Sequence, residues 1–82
     1  MGYKKTPAQV FGMVLRELRL ERELTQDQLA DLADTERSHI SAIERAEKGP
    51  TLATILSLAR ALGMSASDLL ARVEQQLSSR KR

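Results

Sequence analysis

The sequence predicts an all-α fold of five short helices in one domain. Three observations predict it. Threonine or serine recurs just before apolar stretches, often with a glutamine or aspartate three positions on, which is the pattern of a capped helix start. Within those stretches the apolar residues recur every three to four positions, and nowhere do apolar and polar residues alternate as in a half-buried strand.

Thr6-Pro7-Ala8-Gln9 opens helix 1 with a cap, a proline at the first helical position and a glutamine at the third. Phe11, Val14, Leu15 and Leu18 form its buried stripe, with Glu17, Glu21 and Arg22 largely off it. Gly12 costs about 1 kcal/mol against alanine inside a helix, so its presence predicts a neighbouring helix packed close against it. Thr25-Gln26-Asp27-Gln28 repeats the capping box before Leu29, Ala30, Leu32 and Ala33, placing a short helix 2 only a residue or two after helix 1. Asp34-Thr35 interrupts it, because both side chains compete for backbone hydrogen bonds. Helix 3, roughly residues 36 to 45, turns Ile40 and Ile43 inward. After Gly49-Pro50, Thr51 opens helix 4 with Leu52, Ile55, Leu56, Ala59 and Leu62 as its apolar face, and Gly63 ends it. Ser65-Ala66-Ser67-Asp68 starts helix 5, whose stripe is Leu69, Leu70, Val73 and Leu77.

Composition narrows the functions available. A chain of 82 residues buries only about 60% of the surface its unfolded form exposes, which leaves little room for a catalytic cleft. With no cysteine, disulfides, thiolate metal sites and cysteine nucleophiles are excluded together. His39, the one histidine, has no partner histidine or cysteine for zinc or a catalytic dyad. The carboxylates are scattered over helix surfaces and no glycine-rich phosphate loop is present, so no catalytic residue, metal or cofactor is expected. No apolar run approaches the ~18 residues of a membrane span or forms a signal peptide, and the expected location is the cytoplasm, with no membrane partner. Met1, Gly2 and Thr6 match an acylation pattern that is short enough to arise by chance. The net charge of +2 permits nucleic-acid binding without demanding it. Lys4 and Lys5 at one end, and Arg80, Lys81 and Arg82 at the other, read as solvated tails.

Helices 2 and 3 are both short and joined by a tight turn. Ala30 is small midway along the first, and Ile40 and Ile43 anchor the second, so the two can cross steeply and project helix 3 outward as a helix-turn-helix. Three stretches carry a resemblance: Thr25-Gln26-Asp27-Gln28-Leu29-Ala30, Ile40-Ser41-Ala42-Ile43-Glu44-Arg45, and Pro50-Thr51-Leu52 followed by Leu58-Ala59-Arg60-Ala61-Leu62-Gly63. In this order and spacing the chain resembles the XRE, or lambda-repressor-like, family from about Phe11 to Leu70. The resemblance implies a five-helix lambda-repressor-like bundle whose third helix enters the DNA major groove. It also implies homodimers that read two half-sites about 34 Å apart on a nearly palindromic operator.

The domain is expected over residues 7–77, with flexible tails over 1–6 and 78–82 and helix 5, about 66–77, as the dimerisation element. Carried over position by position, the resemblance makes Arg37, Ser38, Ser41 and Ala42 the base-reading residues. Arg37 can donate two parallel hydrogen bonds to a guanine, although a phosphate contact or an ion pair with a neighbouring acid is open to it too. Gln26, Thr35, His39, Arg45 and Lys48 are the phosphate contacts, with Gln26 also an ordinary first-turn residue. Arg19 and Glu44 correspond to a partly buried structural ion pair. Leu69, Leu70, Val73 and Leu77 are the dimer interface, or else simply cover the core. Tyr3 is read as uninvolved and Phe11 as core.

The sequence departs from the family at the turn, where Asp34, Thr35 and Glu36 replace glycine, an aliphatic residue and a small hydroxyl cap. Asp34 and Glu36, with Asp27 and Asp31, make this face less basic than DNA binding prefers. Ala46 replaces a helix-ending glycine, so helix 3 is expected to run on toward Gly49. The alternative function is a protein-interaction module of the same fold, antitoxin-like or a scaffold. Salt dependence separates the two.

Overall fold

In the computed structural model, which describes residues 5–78, the chain forms α1 (Pro7–Glu21), α2 (Gln26–Leu32), α3 (Arg37–Glu44), α4 (Leu52–Ala61) and α5 (Ala66–Ser78). No strand occurs among the described residues. Tyr3, Lys4, the Met1–Gly2 part of the acylation pattern and the basic residues Arg80, Lys81 and Arg82 lie outside them.

Each predicted cap forms. Thr6 and Thr25 each accept from the backbone N–H three residues on, while Gln9 and Gln28 reach back to the cap's own N–H at 2.9 and 2.8 Å, so both capping boxes are complete. Thr51 and Ser65 cap α4 and α5 in the simpler one-bond manner. Only α3 starts without a side-chain cap, because Glu36 makes no such bond.

The helix ends share one construction. After α1, α2, α3 and α4, the backbone closes a paired six-to-one and five-to-two turn, seen for α3 as Glu47 N–H to Ala42 O at 2.8 Å and Ala46 N–H to Ile43 O at 3.0 Å. This turn needs a left-handed residue, supplied by Glu23 (φ 57°), Asp34 (56°), Ala46 (61°) and Gly63 (74°). Helix 3 therefore does not run on toward Gly49: it stops at Glu44, and Ala46 adopts the conformation a glycine would take at lower cost. The same construction corrects the spacing of helices 1 and 2. The turn over Arg22 to Leu24 and the cap at Thr25 separate them by more than a residue or two.

A left-handed alanine costs about 1 kcal/mol, so Ala46→Gly is expected to raise the thermal unfolding midpoint by about 5 °C, measured by circular dichroism.

The core joins Phe11, Val14, Leu15 and Leu18 of α1 to Leu29 and Ala30, Ile40 and Ile43, Leu58 and Ala59, and Leu69 and Val73. The helix α1 packs on α3 and α5, α2 packs on α3 and α4, and α4 packs on α5. Gly12 lies where α1 crosses the end of α3: a Cβ there would sit 2.5 Å from the Ile43 carbonyl oxygen and 2.8 Å from that of Glu44. At the far end of α1, Arg22 donates to Leu62 O at 2.7 Å, and Arg72 of α5 reaches Glu21 at 3.3 Å.

In α4 the buried stripe is rotated from the predicted one. Leu58, at 0% exposure, is inside with Ile55, Ala59 and Leu62, while Leu52 and Leu56 are 70% and 51% exposed. Leu32 of α2 is likewise exposed. No helix of the described residues is long and apolar enough to cross a membrane.

Candidate nucleic-acid interface

The turn at Asp34 ends α2, and Ile40 and Ile43 are fully buried, so the opposite side of α3 is held outward. Arg37 and Ser38 are exposed in its first turn, and Ser41 and Ala42 are half-buried in its second. All four base-reading candidates thus belong to one short helix whose inner side is locked by two isoleucines. The first-turn N–H groups of α3, with no side-chain cap, add the positive end of the helix to this surface.

Arg37 Nε lies 3.9 Å from Asp27 Oδ1, and both side chains are largely exposed. This is the neighbouring-acid contact that the sequence leaves open. An exposed pair of this kind is worth at most about 1 kcal/mol, so it does not hold the guanidinium away from another acceptor.

The phosphate candidates divide by partner. Thr35 Oγ1 and His39 Nδ1 are hydrogen-bonded at 2.9 Å, which fixes both half-buried side chains at the turn. Lys48 is exposed beyond α3. Arg45 is also exposed, but Glu47 pairs with it, at 3.1 Å from both Nε and Nη2. Glu47 was not singled out in the sequence, and the turn at Ala46, which folds 47 back beside 45, is what makes the pair.

Gln26 is half-buried, and its Nε2 donates to Glu44 Oε1 at 3.0 Å. Glu44 is in turn held by Arg19: Nε to Oε2 at 2.7 Å and Nη2 to Oε1 at 3.1 Å, with side-chain exposures of 9% and 4%. Arg19 Nη1 also donates to Leu24 O at 2.9 Å, tying the end of α1 to the entry of α2. The predicted ion pair is therefore present, buried and two-pronged. Its contact with Gln26 escapes the sequence, because nothing in the spacing of 26 and 44 announces it.

The dimer candidates separate into two kinds. Leu69 and Val73 are 0% and 6% exposed and belong to the chain's own core, so they are not available to a second copy. Leu70 and Leu77 are 36% and 37% exposed. The exposed Leu52 and Leu56 of α4 form a second outward apolar pair. Among the described residues no cluster of His, Asp and Glu is arranged to hold a metal ion.

Two short helices meeting at a left-handed turn, the second anchored by its inner face and bare on its outer one, define a helix-turn-helix protein. The helix-turn-helix family model matches residues 15–69. The chain belongs to this family of XRE-like DNA-binding transcription regulators.

It is 41% identical over 59 residues to the immunity repressor protein of Bacillus phage phi105, covering 72% of this chain and 41% of that protein. It is 40% identical over 58 residues to the control protein C.SmaI of Serratia marcescens, covering 71% of this chain and 69% of that one. Among solved structures, the restriction-modification controller protein C.AhdI of Aeromonas hydrophila superposes with a TM-score of 0.73 at 39% identity, over 76% of this chain and 94% of that one. The clp gene regulator ClgR of Corynebacterium glutamicum shares the fold, with a TM-score of 0.86 at 23% identity over 94% of this chain and 82% of that one.

Proposed function

We propose that this protein is a transcriptional regulator that binds a nearly palindromic DNA operator as a homodimer, reading bases in the major groove with α3. The observation that carries this is the presentation of α3: Arg37 and Ser38 are exposed at its N-terminal end while Ile40 and Ile43 lock its inner face. Arg37, Ser38, Ser41 and Ala42 meet base edges, Ala42 by touching a thymine methyl. Gln26, Thr35, His39, Arg45 and Lys48 meet phosphates and set register. Arg45 exchanges Glu47 for a phosphate on binding, a modest cost for an exposed pair. The protein works in the cytoplasm without catalysis, in line with relatives named as regulators and repressors.

Dimerisation follows from what one copy can read. A single helix entering the groove contacts a few base pairs, and a second copy related by a two-fold axis doubles the contacts on a symmetric site. The exposed leucines, Leu52 and Leu56 with Leu70 and Leu77, supply apolar surface for it. Sedimentation at tens of micromolar is expected to show a dimer; a monomer there removes the symmetric operator.

The test of base reading is Arg37→Ala. Loss of a two-pronged guanine contact is expected to cost about 1–3 kcal/mol of discrimination per half-site, seen as a fall in the ratio of operator to unrelated-DNA affinity. An equal loss on both DNAs would make Arg37 a phosphate contact.

A further inference from the structure

Gln26 and Glu44 form a contact that neither the core nor the DNA surface requires by itself. Glu44 is the last residue of α3, and its carboxylate accepts from Arg19 Nε at 2.7 Å, Arg19 Nη2 at 3.1 Å and Gln26 Nε2 at 3.0 Å. A carboxylate only accepts hydrogen bonds, so it selects the amide's nitrogen end and leaves its carbonyl turned elsewhere. The carboxylate cannot wander, because Arg19 grips both its oxygens and is itself tied to Leu24 O at 2.9 Å. Gln26 is the first residue of α2, and its Nε2 has a second N–H that Glu44 does not use.

We propose that Glu44, held by Arg19, is a positioning residue for DNA binding: it orients the Gln26 amide so that the remaining N–H is aimed at a phosphate. This rests on the proposed phosphate role of Gln26. The carboxylate's charge is offset by the Arg19 guanidinium, so it does not repel the phosphate as a bare acid would. The ion pair between α1 and α3 thereby also sets the aim of a side chain on α2, and the docking register depends on a group that never touches DNA. An unrestrained glutamine samples several rotamers and both amide orientations in the free protein, and would lose that freedom on binding.

The test is a double-mutant cycle on binding, using native protein, Gln26→Ala, Glu44→Gln and the double variant. Each is assayed where circular dichroism shows it folded, with active concentration set by stoichiometric titration. Gln26→Ala is expected to weaken binding to cognate and unrelated duplexes alike, by about tenfold per half-site, as for one hydrogen bond to a charged group in each protomer. Glu44→Gln should cost a similar factor in the native background and less than about twofold once Gln26 is alanine. Equal losses from Glu44→Gln in both backgrounds, or no loss in either, would overturn the proposal.

Should Glu44→Gln not fold, side-chain amide relaxation by NMR on the native protein decides instead. An ordered Gln26 amide in the free state, retained in one orientation when duplex is added, supports positioning, and a freely rotating one overturns it. Native protein that binds no duplex at low salt would sink the DNA reading itself, an outcome distinct from a Gln26→Ala variant that binds as the native chain does.

Discussion

Arg19→Ala is expected to destabilise the domain by about 3–5 kcal/mol, the cost of leaving one member of a buried ion pair without its partner. A domain of this size has only about 4–12 kcal/mol in total, and the midpoint should fall by roughly 20 °C. The substitution leaves the Glu44 carboxylate, with 4% of its side chain exposed, only the Gln26 amide as a donor. It also frees the Leu24 carbonyl that Arg19 caps at 2.9 Å. The paired replacement Arg19→Met with Glu44→Leu removes both charges and keeps volume, and should recover most of the loss. Urea unfolding of the three proteins checks this. A loss below about 1 kcal/mol for Arg19→Ala would mean the pair is as weak as an exposed one.

Gly12→Ala is the second large effect. Alanine gains about 1 kcal/mol of helix propensity over glycine, which at an exposed position would stabilise α1. Here the new methyl meets two carbonyl oxygens of the α3 backbone at 2.5 and 2.8 Å, and backbone cannot rotate aside as a side chain does. Overpacking of this kind costs about 1–3 kcal/mol and sometimes more; less the helix-propensity gain, a net loss of up to about 2 kcal/mol is expected, as much as about 10 °C in the midpoint. Because the displaced segment is the end of α3, DNA affinity should fall in the folded variant too. A midpoint unchanged or raised would show that α1 and α3 separate at little cost.

How far these features were legible in the sequence depends on how local they are. The capping boxes at Thr6 and Thr25 are contained within four residues, and they form as read. Gly12 was legible as a close approach, because glycine inside a strong helix is otherwise a liability, although its partner backbone was not. The α4 stripe differs from the expected one for a physical reason: its apolar arc is wide, so either Leu52 and Leu56 at one edge or Leu58 at the other could face inward beside Ile55, Ala59 and Leu62, and only packing against α5 and α2 decides. Leu69 and Val73 share a stripe with Leu70 and Leu77, and periodicity cannot say where the core ends and an outer surface begins. Ala46 misled because a non-glycine residue seldom takes a left-handed turn, yet the two backbone bonds closing after Ala42 and Ile43 hold it there. The side-chain bond from Gln26 to Glu44 joins separate helices, and no local pattern encodes it.

The four acids near the turn, Asp27, Asp31, Asp34 and Glu36, are all exposed and set the electrostatic question. In the proposed complex they would repel phosphate, so the favourable backbone contacts would have to come from Gln26, Thr35, His39, Arg45, Lys48 and the helix ends. In that reading they would also weaken binding to arbitrary DNA, which raises the share of the operator affinity that base contacts supply.

The most direct measurement is therefore a salt titration of binding to the DNA upstream of the protein's own gene, beside an unrelated duplex. Arg45 and Lys48 on each protomer of a dimer imply a slope of about −4, a loss of at least about a hundredfold between about 50 and about 200 mM salt, with the upstream duplex bound more tightly throughout. No binding to either duplex at about 50 mM salt would contradict a DNA-binding regulator and point to a protein partner for the same face.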